Sequence, residues 1–100
     1  MSSFIIALIN IQDRERYSEY ESGFMEIFSR YAGRLVSVDD NPRVLEGNWP
    51  STRTVLIEFP DDDAAMAWYG SDEYQRLAEH RFASAEGKVV LIKGIDDGEG

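Results

Sequence analysis

A chain of 100 residues is long enough for one domain and too short for two independent cores. Hydrophobic residues make up 43% and aromatic residues 12%, enough to pack a core and too much for a disordered chain. The net charge of −9 argues against nucleic acid as a partner, because such a surface repels phosphates and Arg14, Arg16, Arg30, Arg34, Arg43 and Arg53 are scattered rather than gathered into a patch. Cysteine is absent, which excludes disulfides, thiolate metal sites and cysteine nucleophiles and is compatible with the cytoplasm.

The first apolar run, FIIALINI (4–11), has no basic segment before it and is too short to span a bilayer. It reads as a central strand, and no later segment is apolar enough for a membrane helix. Asp13 is placed to cap a helix in which Tyr17, Tyr20, Phe24, Ile27 or Phe28, and Tyr31 recur every three or four residues, with Gly33 expected to end it. RLVSVD (34–39) is a second strand, DNP (40–42) a turn, and RVLE (43–46) an extension or a pairing segment. GNWP (47–50) is a loop, and TRTVLIEF (52–59) a third strand closed by Pro60. Asp61, Asp62 and Asp63 open a helix that breaks at Gly70, Ser71 caps another running to about Ser84, and Gly87 is expected to stop it. KVVLIKGI (88–95) is the last strand, and DDGEG (96–100) an acidic tail outside the domain at 1–95.

The order β-α-β-β-α-β predicts an α+β, ferredoxin-like domain with a four-stranded antiparallel sheet. Both crossovers of that topology lie on one sheet face, so a monomer should be polar on the other. Here both alternating sets are apolar: Ile5, Ala7 and Ile9 against Phe4, Ile6 and Leu8, and Val89 and Leu91 against Val90 and Ile92. A bare apolar sheet predicts a homodimer packed sheet to sheet; cover by the 40–50 loop or the tail is the alternative.

The blocks YAGRL (31–35), VLEGNWP (44–50), VLIEFPD (55–61), AWYGSDEYQ (67–75), His80–Arg81 and EGKVVLIKG (86–94) resemble the domain-of-unknown-function 1330 family over residues 4 to 95. The resemblance implies a dimeric α/β barrel and no established activity. The wider superfamily includes cofactor-independent monooxygenases, haem-degrading monooxygenases and lactone isomerases, which implies a ligand between a sheet and its own helices.

Candidate site residues follow from helical phase. Arg81 falls inside the stripe of Tyr74, Leu77, Ala78, Phe82 and Ala85, where an aliphatic side chain is the norm. A guanidinium there needs an anion. That anion is either an internal carboxylate, Glu58 or Glu46, or a bound carboxylate or enolate held by the planar fork. Tyr17, Trp68, Tyr69 and Tyr74 are the candidate walls, and Trp49 either packs across a dimer or lids a pocket. His80, off the stripe centre, and Glu46 and Glu58 are the candidate bases of a cofactor-free reaction. Asn10 interrupts the first strand with an amide that needs partners and is counted as a ligand contact. Asn10, Trp68 and His80 together resemble the Asn, Trp and His set of haem-degrading monooxygenases, which gives an alternative, haem-binding reading. A single histidine without cysteine offers no strong zinc site, and Asp61–Asp63 read as helix-start solvation. The favoured reading is therefore a homodimer, needing no cofactor or metal, that binds a small anionic or aromatic metabolite; a non-catalytic dimerising module is the third.

Overall fold

Residues Ser3–Ile11 form the first strand, β1, of the computed structural model, which describes residues 2–49 and 52–95. Met1, Pro50 of the GNWP loop and the acidic 96–100 tail lie outside the described residues. Helix α1 (Arg14–Phe28) follows, then β2 (Arg34–Asp39), β3 (Arg53–Phe59), α2 (Asp62–Tyr69), α3 (Asp72–Ser84) and β4 (Ala85–Lys93). The sheet order is β2-β3-β1-β4, every neighbouring pair antiparallel. This is the expected α+β, ferredoxin-like arrangement, with its second crossover split into α2 and α3.

The N-caps of the three helices are where the sequence places them. The Asp13 carboxylate accepts from the Arg16 N–H, the Asp61 carboxylate from Ala64 and the Ser71 hydroxyl from Tyr74. Asp62 and Asp63 fill the first turn of α2, where acids meet the positive end of the helix dipole. Among the described residues no helix is long and apolar enough to cross a membrane.

Register assigns the two alternating sets to faces. Ser3, Ile5, Ala7 and Ile9 point to the helices and are buried, in line with Phe59, Ile57, Val55 and Arg53 of β3 and with Lys93, Leu91, Val89 and Gly87 of β4. Phe4, Ile6 and Leu8 point away, beside Leu56, Val90 and Ile92. No helix covers that second face, and Val90 and Ile92 remain exposed.

The core is an aromatic stack with Trp68 as its hub. Its ring lies 5.7 Å from Phe59 (stacked), 5.4 Å from Phe28 (edge-on) and 4.2 Å from Tyr74. Such pairs stabilise by about 0.5–1.5 kcal/mol each beyond area burial.

Four expectations need correction. Helix α1 stops at Phe28: the Arg30 and Tyr31 amides bond the carbonyls three residues back, so the chain tightens and leaves the helix before Gly33. Gly33 is not a left-handed cap; a Cβ on it would sit 2.6 Å from Phe28 Cζ and 2.7 Å from Phe59 Cε1. Gly33→Ala is therefore expected to cost about 1–3 kcal/mol in chemical denaturation, an overpacking penalty between two buried rings; an unchanged midpoint would refute the close approach. Residues 43–46 form no strand among the described residues and are exposed. Finally, Gly87 does not stop α3. The helix ends at Ser84 and β4 begins at once with Ala85, so Gly87 is a strand residue.

Candidate functional site

Helix α1 leans on α3 more than on the sheet, and the contact is close because residue 23 is glycine: a Cβ there would meet Leu77 Cδ1 at 2.8 Å. The space left between α1 and the sheet is a cavity of about 190 Å³. Ile9, Val55 and Ile57 line it from the sheet, Tyr17, Tyr20, Glu21 and Phe24 from α1, and Trp68, Tyr69, Tyr74 and Arg81 from α2 and α3. For scale, a dry cavity of about 150 Å³ holds a benzene molecule.

Arg81 is 5% exposed. No carboxylate lies within ion-pair distance of it among the described residues, so the internal pair with Glu58 or Glu46 does not form. Glu58 instead pairs with Arg34 at 2.6 Å on the open sheet face, and Glu46 is exposed in the 40s loop. The guanidinium lies 5.9 Å from the centre of the Tyr20 ring and 4.8 Å from that of Phe82. Burial works against its charge, the Tyr74 and Tyr20 hydroxyls work for it, and the balance lies above the ordinary arginine value. It is a cation at neutral pH.

The hydroxyls do not neutralise it. Tyr20 and Tyr74 share a hydrogen bond of 2.7 Å between their oxygens. Burial raises both phenols above the usual tyrosine value, for Tyr20 with the help of Tyr74, for Tyr74 against the pull of Arg81. Both are therefore neutral, polar groups beside a buried positive charge.

Gly87 explains why the guanidinium fits. A Cβ at Gly87 would lie 2.8 Å from Arg81 Nη1 and 3.4 Å from Ile9 Cδ1. Gly87→Ala is expected to leave the fold within about 1 kcal/mol of wild type, since only the end of a flexible side chain must move. Thermal unfolding checks this; a larger loss would show that the Arg81 guanidinium cannot move aside.

A second arginine flanks the cavity. Arg53 bonds Asp40 at 2.6 Å and Glu21 at 2.5 Å, and its Cζ stands 5.5 Å from the centre of the Tyr17 ring. These hydrogen bonds raise the Arg53 value, and the bond from Arg53 lowers that of Asp40. Arg53 and Gly87 both pair with Ile9, from opposite sides of β1, so the strand position that carries Arg53 and the one against which Arg81 Nη1 rests are roughly 10 Å apart.

The structure thus gathers Arg81, Tyr17, Trp68, Tyr69 and Tyr74 around one cavity. It does not bring the others there. Asn10 faces the open side of the sheet, in register with Glu86. His80 lies at the outer margin of α3, its Nδ1 accepting from Arg16 Nε at 2.8 Å and standing 3.2 Å from Glu19. Trp49 is 44% exposed and donates to Thr54 at 2.8 Å, away from the cavity. Asn10, Trp68 and His80 therefore occupy three different regions of the molecule and share no haem-sized space. Tyr20, Glu21 and Arg53 are site residues that helical and strand phase could have supplied: Tyr20 repeats the Tyr17 spacing, and Arg53 continues the inward set Val55, Ile57, Phe59.

The sequence pattern of a family described as a domain of unknown function (DUF1330) matches residues 2–95. No curated protein matches the sequence. Among solved structures, a protein of unknown function from Rhodopseudomonas palustris superposes with a TM-score of 0.79 at 17% identity, over 95% of this chain and 83% of that one. A dimeric ferredoxin-like protein of unknown function from Jannaschia sp. CCS1 gives 0.69 at 15% identity, over 94% and 100%. SnoaB, a cofactor-independent oxygenase from Streptomyces nogalater, gives 0.66 at 12% identity, over 95% and 94%. At these identities the likeness is one of fold.

Proposed function

We propose that this chain, which belongs to the DUF1330 family, binds a small organic anion in the cavity between its sheet and helices, and does so as a homodimer. The observation that carries the reading is Arg81: a buried guanidinium, open to a cavity, with no carboxylate partner among the described residues. Neutral tyrosine hydroxyls solvate such a charge without neutralising it, and a bound carboxylate or enolate oxygen pair would neutralise it while matching the planar fork. The aromatic walls favour a flat ligand, and of the hydrogen-bonded Tyr20–Tyr74 pair the hydroxyl whose proton is not used between them can donate to its oxygens.

The dimer has separate support. Phe4, Ile6, Leu8, Leu56, Val90 and Ile92 form a continuous apolar surface on the uncovered sheet face, and the Jannaschia neighbour is described as dimeric. Val36 is exposed on β2, the edge strand of the same sheet.

Native mass spectrometry of the freshly purified protein tests both parts. A doubled mass is expected, with added small mass that disappears on denaturation and is missing in Arg81→Ala. A single mass would overturn the dimer. Failure of wild type to take up benzoate, or equal uptake by Arg81→Ala, would overturn the anion site.

A further inference from the structure

Resting on that binding reading, we infer that the cavity selects a carboxylate with one negative charge and one ring, and that Glu21 is the residue that rejects a second charge. The argument is a count of charges around the cavity. Two guanidiniums line it, Arg81 and Arg53, and they are not equivalent. Arg81 has no carboxylate partner among the described residues. Arg53 already holds two carboxylates, Glu21 and Asp40, and Asp40 also feels Arg14; of the two acids Glu21 lines the cavity. One end of a ligand therefore meets a cation with no carboxylate partner among the described residues. The other end meets the Glu21 carboxylate beside an arginine that is already neutralised.

Exposure gives the direction. Arg81 is buried, whereas the Glu21 and Asp40 side chains are 46% and 54% exposed and Val38 is 51% exposed. A ligand enters past the acidic cluster and seats its carboxylate at the buried Arg81. A volume of about 190 Å³ admits one six-membered ring and no second ring, with a substituent at the far end reaching toward the exposed Glu21 side. A dicarboxylate of that size would place its second charge against Glu21, which itself lines the cavity. Asp40 does not line it and acts through Arg53. Glu21 is thus the specificity-determining group, and a neutral or hydrogen-bond-donating far end is the one that fits.

The test uses three probes of graded charge and size with the full-length protein in low-salt buffer at pH 7.5: benzoate, terephthalate, and monomethyl terephthalate, which is larger than terephthalate but carries one charge fewer. Calorimetry should show monomethyl terephthalate binding at least about tenfold more tightly than terephthalate, the scale of one unscreened like-charge contact near a protein surface. In Glu21→Gln, which keeps an oxygen for Arg53, that ratio should shrink about threefold or more. A ratio within about twofold in wild type, or one unchanged in Glu21→Gln, overturns the charge selectivity while Arg81-dependent benzoate binding leaves the anion site standing. Absence of benzoate binding, or its persistence in Arg81→Ala, overturns the anion site and the selectivity together.

Discussion

Arg81→Met is expected to raise the stability of the ligand-free protein while abolishing its binding of anions. The methionine keeps an unbranched stem against Tyr20 and Tyr74 and removes a charge that has no counter-ion among the described residues. Replacement of buried ionic groups by apolar side chains of similar volume is neutral to stabilising by about 1–4 kcal/mol. In a domain of this size each kcal/mol moves the unfolding midpoint by about 4–8 °C. Binding of a carboxylate should fall by about a hundredfold or more, as when one member of a desolvated charge pair is truncated. Thermal unfolding with and without benzoate, at one fixed protein concentration, separates the two effects. Wild type should shift upward with ligand and Arg81→Met should not. A midpoint several degrees below wild type in the absence of ligand would mean that Arg81 is a structural residue, compensated by its tyrosine contacts alone. Most destabilising substitutions lower both function and stability; a rise in one with loss of the other is the signature of a residue kept for binding.

The architecture was legible because each element carries its own signal. Asp13, Asp61 and Ser71 announce helix starts, Gly70 separates the two short helices, and the apolar runs define strands. What the sequence left open was which apolar set faces the helices, because β1 and β4 are apolar on both faces and period-two reasoning needs a polar face to choose. Register resolved it: Ile9 stands beside Arg53 and Gly87, and the cavity lies on that side. Arg81 was legible as a charge in an apolar stripe, since Tyr74, Ala78, Arg81 and Ser84 are the buried positions of α3. Phe82 was not: it counted as stripe and is 55% exposed. The missing counter-ion was not legible either, because Glu58 lies on a strand but faces the open side, a matter of one residue in register. Gly87 looked like a stop signal beside a helix end. Its reason for being glycine is a side chain six residues earlier, and only the packed structure brings the two together.

The largest loss of stability should come from Trp68, and the form of that loss tests an unusual feature of the core. Trp68 is 2% exposed, touches Phe24, Phe28, Phe59, Tyr69 and Tyr74, and forms one wall of the cavity. Trp68→Ala should cost about 3–5 kcal/mol, because the lost contacts are joined by an enlarged cavity that cannot collapse. That is a large share of the 5–15 kcal/mol typical of a whole domain. Trp68→Phe should cost much less than the lost ring suggests. The indole Nε1 is buried without an acceptor among the described residues, and an orphaned buried donor carries a penalty of about 1–3 kcal/mol that phenylalanine does not have. The smaller side chain loses contacts and leaves some empty volume, so the two effects nearly cancel and the net change should stay within about 1 kcal/mol of wild type. Urea denaturation of the three proteins decides it. Alanine and phenylalanine variants of similar, low stability would mean that the indole N–H does have a partner, and that the hub is held by a hydrogen bond as well as by packing. A phenylalanine variant as stable as wild type, with the alanine variant far below it, would show that Trp68 serves the core through its shape and that its nitrogen is tolerated rather than used.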